Sequence, residues 1–257
     1  MAITDDFSKA LDRVLADVPN QRAFLELSLD RERAYLQRSI IRWQEVLELT
    51  NDAFPLGPDI SVLDVGVSPF TFALKHLFLN TDALDLTDYF KDRCETAGIR
   101  LEPGGVEQVH QLPVAHYDVV FFLEVLEHLH LNPVCVLRGL CDRLKPGGIC
   151  VVSTPNIACL GNRLRFMFNR KIDGVTYPSF AENEHLIHGH QHDRLYFSSE
   201  LAEYMALAGF SEVRVHFQAK FPANLYGFPS GIKQGLANLA RLAIPSLRLI
   251  TVAIGRT

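Results

Sequence analysis

Glu124, Glu127 and His128 bring two carboxylates and an imidazole within about a turn and a half of chain. An imidazole titrates near neutrality, so His128 is a candidate general base for a hydroxyl acceptor, with Glu124 beside the reacting groups. The same residues form a ligand set for a divalent ion such as Mg, Mn or Zn. A metal held there would bind adjacent substrate oxygens and lower the pKa of the attacking one. Farther on, His185, His188, His190 and His192 place four of the ten histidines in eight residues. Of these, His190 and His192 are the candidate distal ligands. A second acidic pair stands earlier. Asp64-Val65-Gly66 and Asp85 each close a short apolar run, about twenty residues apart, the spacing at which α/β folds hold a ribose.

The elements that must position these groups follow from the apolar pattern. Residues 61–66 read as a short strand ending in an acid and a glycine, with a helix over 71–79 behind it. That strand–turn–helix unit is where open α/β sheets bind nucleotide-like ligands. The run Tyr117-Asp118-Val119-Val120-Phe121-Phe122 is nearly all apolar, as a parallel strand buried on both faces requires. Strands are expected near 60–65, 82–86, 99–102, 117–123 and 148–153, alternating with helices as βαβ units. After the fifth strand, a helix begins at Ser198-Ser199-Glu200 with a serine cap and stops at Gly209. Strands over 212–217 and 247–254 complete the set. Residues 5–50 carry Leu36, Ile40, Trp43, Val46 and Leu47 at helical spacing, as helices that pack on the sheet or cap the substrate opening.

These motifs, in this order, resemble the class I S-adenosylmethionine-dependent methyltransferases. V-L-D-V-G at 62–66 matches their first motif, Y-D-V-V at 117–120 their fourth strand, E-V-L-E-H at 124–128 the turn after it, and L-K-P-G-G at 144–148 the approach to the fifth strand. E-V-L-E-H is shared with a subgroup acting on small molecules. The resemblance implies a Rossmann-like, mostly parallel seven-stranded sheet of order 3-2-1-4-5-7-6 with helices on both faces, and S-adenosylmethionine as cofactor. It places Gly66, Val67 and Ser68 at the methionine part and Asp64 as the anchor of the turn. Asp85, with Asp88 as rival, takes the ribose hydroxyls, and Glu124 lies near the sulfonium. Glu107, Gln108 and Val109 all remain candidates for the adenine contact. The E-x-x-E-H element with a distal histidine is similar to that of small-RNA 2′-O-methyltransferases and ubiquinone-pathway O-methyltransferases. The sequence departs from the family where its second and third motif glycines fall on Ser68 and Phe70.

At 257 residues and 48% hydrophobic, the chain can bury one substantial core. It reads as one domain with an N-terminal helical cap at 1–55 and a cofactor-binding core at 56–154. An insertion or lid at 155–197 and a C-terminal helix and strands at 198–257 follow. The net charge of −5 speaks against a nucleic-acid backbone as main partner. Five cysteines without C-x-x-C spacing fit reduced thiols in a cytoplasmic protein. The N-terminus lacks the pattern of a signal peptide, and no stretch is long enough to span a bilayer. Gly235 to Ile244 is read as a packing helix, with membrane-surface binding as the alternative. The function expected is methyl transfer to a hydroxyl of a sugar or secondary metabolite with a histidine base. The rivals are a metal-dependent O-methyltransferase acting on a catechol-like ring or an RNA ribose, and a non-catalytic protein of the same fold.

Overall fold

The computed structural model describes residues 2–16, 29–172, 192, 194–219, 239–241 and 243–257. Its strands are β1 (Ser61–Val65), β2 (Asn80–Asp85), β3 (Arg100–Pro103), β4 (Tyr117–Leu123), β5 (Leu144–Pro155), β6 (Glu212–Phe217) and β7 (Ile250–Arg256). The helices are α1 (Ala2–Ala16), α2 (Leu29–Ala53), α3 (Pro69–Leu77), α4 (Lys91–Thr96), α5 (Pro133–Cys141), α6 (Leu160–Met167) and α7 (Ser198–Ala208). The strands form one sheet of order β3-β2-β1-β4-β5-β7-β6. The strands from β3 through to β5 run parallel, and β7 lies antiparallel between β5 and β6. This is the sheet the motifs imply.

Both faces of the sheet are buried, which is why its central strands carry runs of consecutive apolar residues rather than an alternation. Val62, Val119, Phe121, Ile149 and Val151 face the layer that contains Phe7 of α1, Trp43 and Leu47 of α2, and Phe70 and Leu74 of α3. Their neighbours Leu63, Val120, Phe122, Cys150 and Val152 face the opposite layer, with Leu137 and Leu140 of α5 and Leu201 and Met205 of α7.

Two motif residues meet behind this core. The Asp118 carboxylate accepts from the Lys145 ammonium at 2.7 Å and from the Ser61 amide at 2.8 Å. Asp118 of Y-D-V-V and Lys145 of L-K-P-G-G therefore tie the starts of β1, β4 and β5 together, away from the strand ends that carry chemistry. At Gly148 a side chain would press on the Lys145 and Asp118 carbonyls, at 2.9 and 3.0 Å, so only glycine fits that crossing.

Several boundaries differ from expectation: the helix expected over 71–79 is Pro69–Leu77, the strand expected near 148–153 is Leu144–Pro155, and two further shifts have a local cause. Ser198 is the first residue of α7 rather than its cap; Glu200 accepts the Phe197 amide at 3.3 Å and does the capping. The last strand starts at Ile250 rather than Leu247, because Pro245–Leu247 forms a 3₁₀ turn first. Residues 173–191 and 193 of the expected lid, and 235–238 and 242 of the helix expected over Gly235 to Ile244, lie outside the described residues. No helix among the described residues is long and apolar enough to cross a membrane.

Candidate active site

The carboxyl ends of β1, β2, β4 and β5 lie side by side and carry the candidate residues. After β1 the chain turns through Gly66 at φ +93°, the left-handed region that glycine enters at little cost. A side chain here would also approach Val125 Cγ2 at 3.2 Å. Gly66 keeps its amide on the Leu84 carbonyl of β2 at 2.8 Å. Ser68 caps α3 by accepting the Phe70 amide at 3.2 Å, Thr71 Oγ1 accepts the Ser68 amide at 2.9 Å, and Pro69 fills the first helical turn. Ser68 is extended at φ −150°, a conformation any residue adopts. The second motif glycine is thus replaced where none is needed. Phe70, at the third, is 1% exposed and packs its ring against Trp43, Phe121 and Phe7. The core fills the space that a glycine would leave.

Asp64 is buried beneath this turn and accepts from the Thr71 hydroxyl at 2.6 Å. Burial pushes its carboxyl up to about 7; the Thr71 hydrogen bond works the other way, and the charge of Asp85 adds to the rise. Asp85, at the end of β2, accepts from the Val67 amide at 2.7 Å and the Thr87 amide at 3.0 Å. It thereby joins the two strand ends. Asp88 lies on the exposed loop beyond. Of the three adenine candidates, the 3₁₀ turn Val106–Gln111 exposes Glu107, half-buries Gln108 and turns Val109 into the core.

The turn after β4 is built differently. Glu124 also sits at positive φ, +56°, a conformation that strains a residue with a Cβ. Its Oε1 accepts from Ser153 Oγ at 2.8 Å and its Oε2 from Arg42 Nη1 at 2.9 Å. Arg42, on α2, gave no signal in the sequence, since its partner Glu124 is 82 residues away.

Three residues on, Glu127 is 1% exposed. Thr154 Oγ1 donates to its Oε2 at 3.0 Å, while Oε1 accepts no hydrogen bond among the described residues. His192 Nε2 stands 4.0 Å from that oxygen. Burial, and then the Glu124 charge, push Glu127 well above the usual carboxylate range, against the Thr154 hydrogen bond and Arg42. The rings of His128 and His192 meet edge to face, centroids 5.0 Å apart. One ligand-capable atom each of Glu127, His128 and His192 lies within 4.8 Å of the others. Three of the five candidate metal ligands are therefore together. Glu124 turns to Arg42 and Ser153 instead, and His185, His188 and His190 lie outside the described residues.

A cleft lined by Gly66, Val67, Ser68, Arg42, Glu124 and Val125 runs between the two turns. Part of its lining is the bare Gly66 backbone, where a Cβ would crowd Val125. The residues present therefore fit a cofactor that lies against main chain.

A family profile for methyltransferase domains matches residues 33–215, and the chain belongs to that family. It is an enzyme of the class I methyltransferase fold with S-adenosylmethionine as methyl donor. Among solved structures of similar fold is a SAM-dependent methyltransferase from Archaeoglobus fulgidus, 16% identical, with a TM-score of 0.55 over 87% of this chain and 99% of that one. A methyltransferase from Mesorhizobium loti is 16% identical, with a TM-score of 0.53 over 84% and 98%. A third is the 1,6-didemethyltoxoflavin-N1-methyltransferase of Burkholderia thailandensis, solved with its substrate and S-adenosylhomocysteine. It is 14% identical, with a TM-score of 0.52 over 96% and 86%.

Proposed function

We propose that this enzyme methylates a hydroxyl oxygen of a small molecule, and that a divalent metal on Glu127, His128 and His192 activates that oxygen. The gathering of those three side chains beside the cofactor cleft carries the reading. A carboxylate and two imidazoles suit Zn or Mn, and Mg with more water in its shell. Glu127 in particular is a buried acid with an oxygen left over, and a dication is the partner that would favour its charged form. On this reading Asp85 accepts the ribose hydroxyls, Glu107 or Gln108 lies beside the adenine, and Gly66 to Ser68 carry the methionine part. The cofactor supplies an electrophilic methyl on sulfur. The chain positions the acceptor in line with it and removes the acceptor's proton.

His128 as a general base without metal is the second reading, and the proximity of Glu127 to both imidazoles favours it too. The non-catalytic alternative loses its motive, because Ser68 and Phe70 have structural reasons that leave the Gly66 turn intact.

The acceptor class rests on less. Arg163, Arg165, Arg170 and Lys171 on and just after α6 would suit an anionic sugar or secondary metabolite. Arg163, however, also holds the Ala158 carbonyl at 2.6 Å, and Arg194 is committed to Glu200. RNA is disfavoured by the acidic chain. A cytoplasmic location fits five cysteines that form no disulfide.

Metal analysis of protein purified without chelator, followed by Mn and Zn titrations, tests the reading. Near-stoichiometric metal is expected, with affinity reduced about 10- to 100-fold in Glu127→Gln. Full turnover of hydroxyl acceptors after metal stripping would remove the metal and leave His128 as base.

A further inference from the structure

We infer that the exposed end of α6 docks this enzyme on an anionic membrane surface. The inference is independent of the cofactor site, of the acceptor and of any metal.

Three consecutive large apolar side chains stand in water there. Phe166 is 53% exposed, Met167 76% and Phe168 70%. Leu164 is exposed as well, and positions 164, 167 and 168 share one face at helical spacing. The helix stops at Asn169, which takes φ +50°. The Arg170 amide then closes on the Arg165 carbonyl at 2.8 Å, so Arg170 and Lys171 stay next to the last turn. Residues 156–172 carry Arg163, Arg165, Arg170 and Lys171 and no acid, in a chain whose net charge is −5.

A second apolar edge adjoins the first. Arg163 Nη2 donates to Ser246 Oγ at 3.1 Å, which brings the exposed Ile244, just before Ser246, alongside α6. The helix itself begins just beyond the end of β5, whose Thr154 holds Glu127. The face therefore lies at the carboxyl end of the sheet, the end that carries the candidate site.

The mixture of groups selects the partner. A soluble anion or a nucleic acid would pair with the cations and leave Phe166, Met167 and Phe168 in water. A second copy packed on the same face would cover the apolar stripe but set its cations against their own equivalents. An anionic bilayer surface takes both at once. Phenylalanine and methionine reach the acyl boundary, while the long stems of arginine and lysine keep their charges at the level of the headgroups.

Sedimentation of the full chain with lipid vesicles tests the assignment, using phosphatidylcholine alone and an equal mixture of phosphatidylcholine and phosphatidylglycerol. The chain is expected to bind the mixed vesicles, to bind the neutral ones far more weakly, and to dissociate as salt is added. Arg170→Gln with Lys171→Gln should weaken binding to the mixed vesicles about 25-fold, roughly fivefold for each charge removed. Met167→Ser with Phe168→Ser should weaken it about tenfold or more. Both variants should keep the parent's thermal midpoint, because the exchanged side chains are exposed in the free protein.

A parent that ignores the mixed vesicles overturns the assignment, as does binding that neither variant weakens. Loss in the charge variant alone would give the cations to a soluble anion and leave the apolar stripe without a role, which also overturns it. A dimer in light scattering that Met167→Ser with Phe168→Ser dissolves, without vesicle binding, would give the face to a second copy instead.

Discussion

The turns after β1 and β4 are neighbours in the sheet and solve one geometric problem in two ways. Each ends a parallel strand by passing through positive φ, at Gly66 and at Glu124. Each keeps that residue's amide on the adjacent strand, Gly66 on Leu84 of β2 and Glu124 on Ser153 of β5. The first turn uses the residue that tolerates the conformation; Ser68 and Thr71 cap the helix behind it, and Leu84 and Asp85 of β2 take the Gly66 and Val67 amides. The second uses a residue that does not, and is held by groups far away in sequence: Arg42, Ser153, Thr154 and His192. A turn of the first kind presents backbone to a ligand. One of the second kind presents charged side chains. On the proposed reading, the cleft between them takes the cofactor on one wall and places charge on the other.

The largest effect expected from disturbing this contrast falls on the β1 turn. Phe70→Gly restores the family's third glycine but empties a core site bounded by Trp43, Phe121 and Phe7. Burial of that ring predicts a loss of about 5 kcal/mol in chemical denaturation, more than a ring truncation alone because glycine also weakens α3. Stability unchanged to within about 1 kcal/mol would show that the substitution at this motif position is not fixed by packing.

The sequence made the first turn legible and the second only half so, for the same reason that their stabilities differ in origin. V-L-D-V-G and the acid at Asp85 announce a strand, a turn and a carboxylate because each signal is local. The sheet order followed from the family resemblance, while the nearly apolar run 117–122 by itself marks only a strand covered on both faces. E-x-x-E-H announced reactive groups without saying how they divide. Nothing near Glu124 indicates that it leaves the cluster for Arg42, and nothing in the run His185 to His192 indicates that His192 stands beside Glu127. Those choices are made by tertiary contacts. The serine at 198 misled because the helix starts one residue earlier than a serine cap requires, with Phe197 at the cap position and its amide held by Glu200.

Asp64 gives the next effect in size. Its pKa is raised from 3.8 to about 7 in the folded protein, so between those values the folded state binds more protons than the unfolded one. Stability from this group is therefore greatest at the acid end and falls as pH rises through that window, by on the order of 4 kcal/mol at most. Asp64→Asn keeps an acceptor for the Thr71 hydroxyl and removes the titration. The variant should gain on the parent between about pH 4 and 7 in denaturation experiments and run parallel to it above. Parallel curves throughout would mean that Asp64 is ionised beneath the turn at little expense.

Gly66→Ala is the direct challenge to the contrast, because it puts a Cβ where the β4 turn already tolerates one. The left-handed conformation and the 3.2 Å approach to Val125 together should weaken S-adenosylhomocysteine binding by about 2 kcal/mol, roughly 30-fold. An unaltered affinity would mean that the β1 turn, like the β4 turn, is fixed by its surroundings rather than by its residue.

The smallest effect separates glycine's two uses. If the second motif glycine serves the cofactor in this chain, Ser68→Gly should tighten binding. The geometry argues the opposite. Ser68 is extended at φ −150° and its hydroxyl caps α3, so glycine offers no conformational gain and removes a hydrogen bond. Ser68→Ala should cost about 1 kcal/mol of stability and Ser68→Gly only a few tenths, since glycine is itself a fair cap. Cofactor affinity, measured by the same titration, should be equal in the parent and the glycine variant. A tighter-binding glycine variant would mean that the β1 turn is compromised by its serine. The two walls of the cleft would then differ in quality as well as in construction.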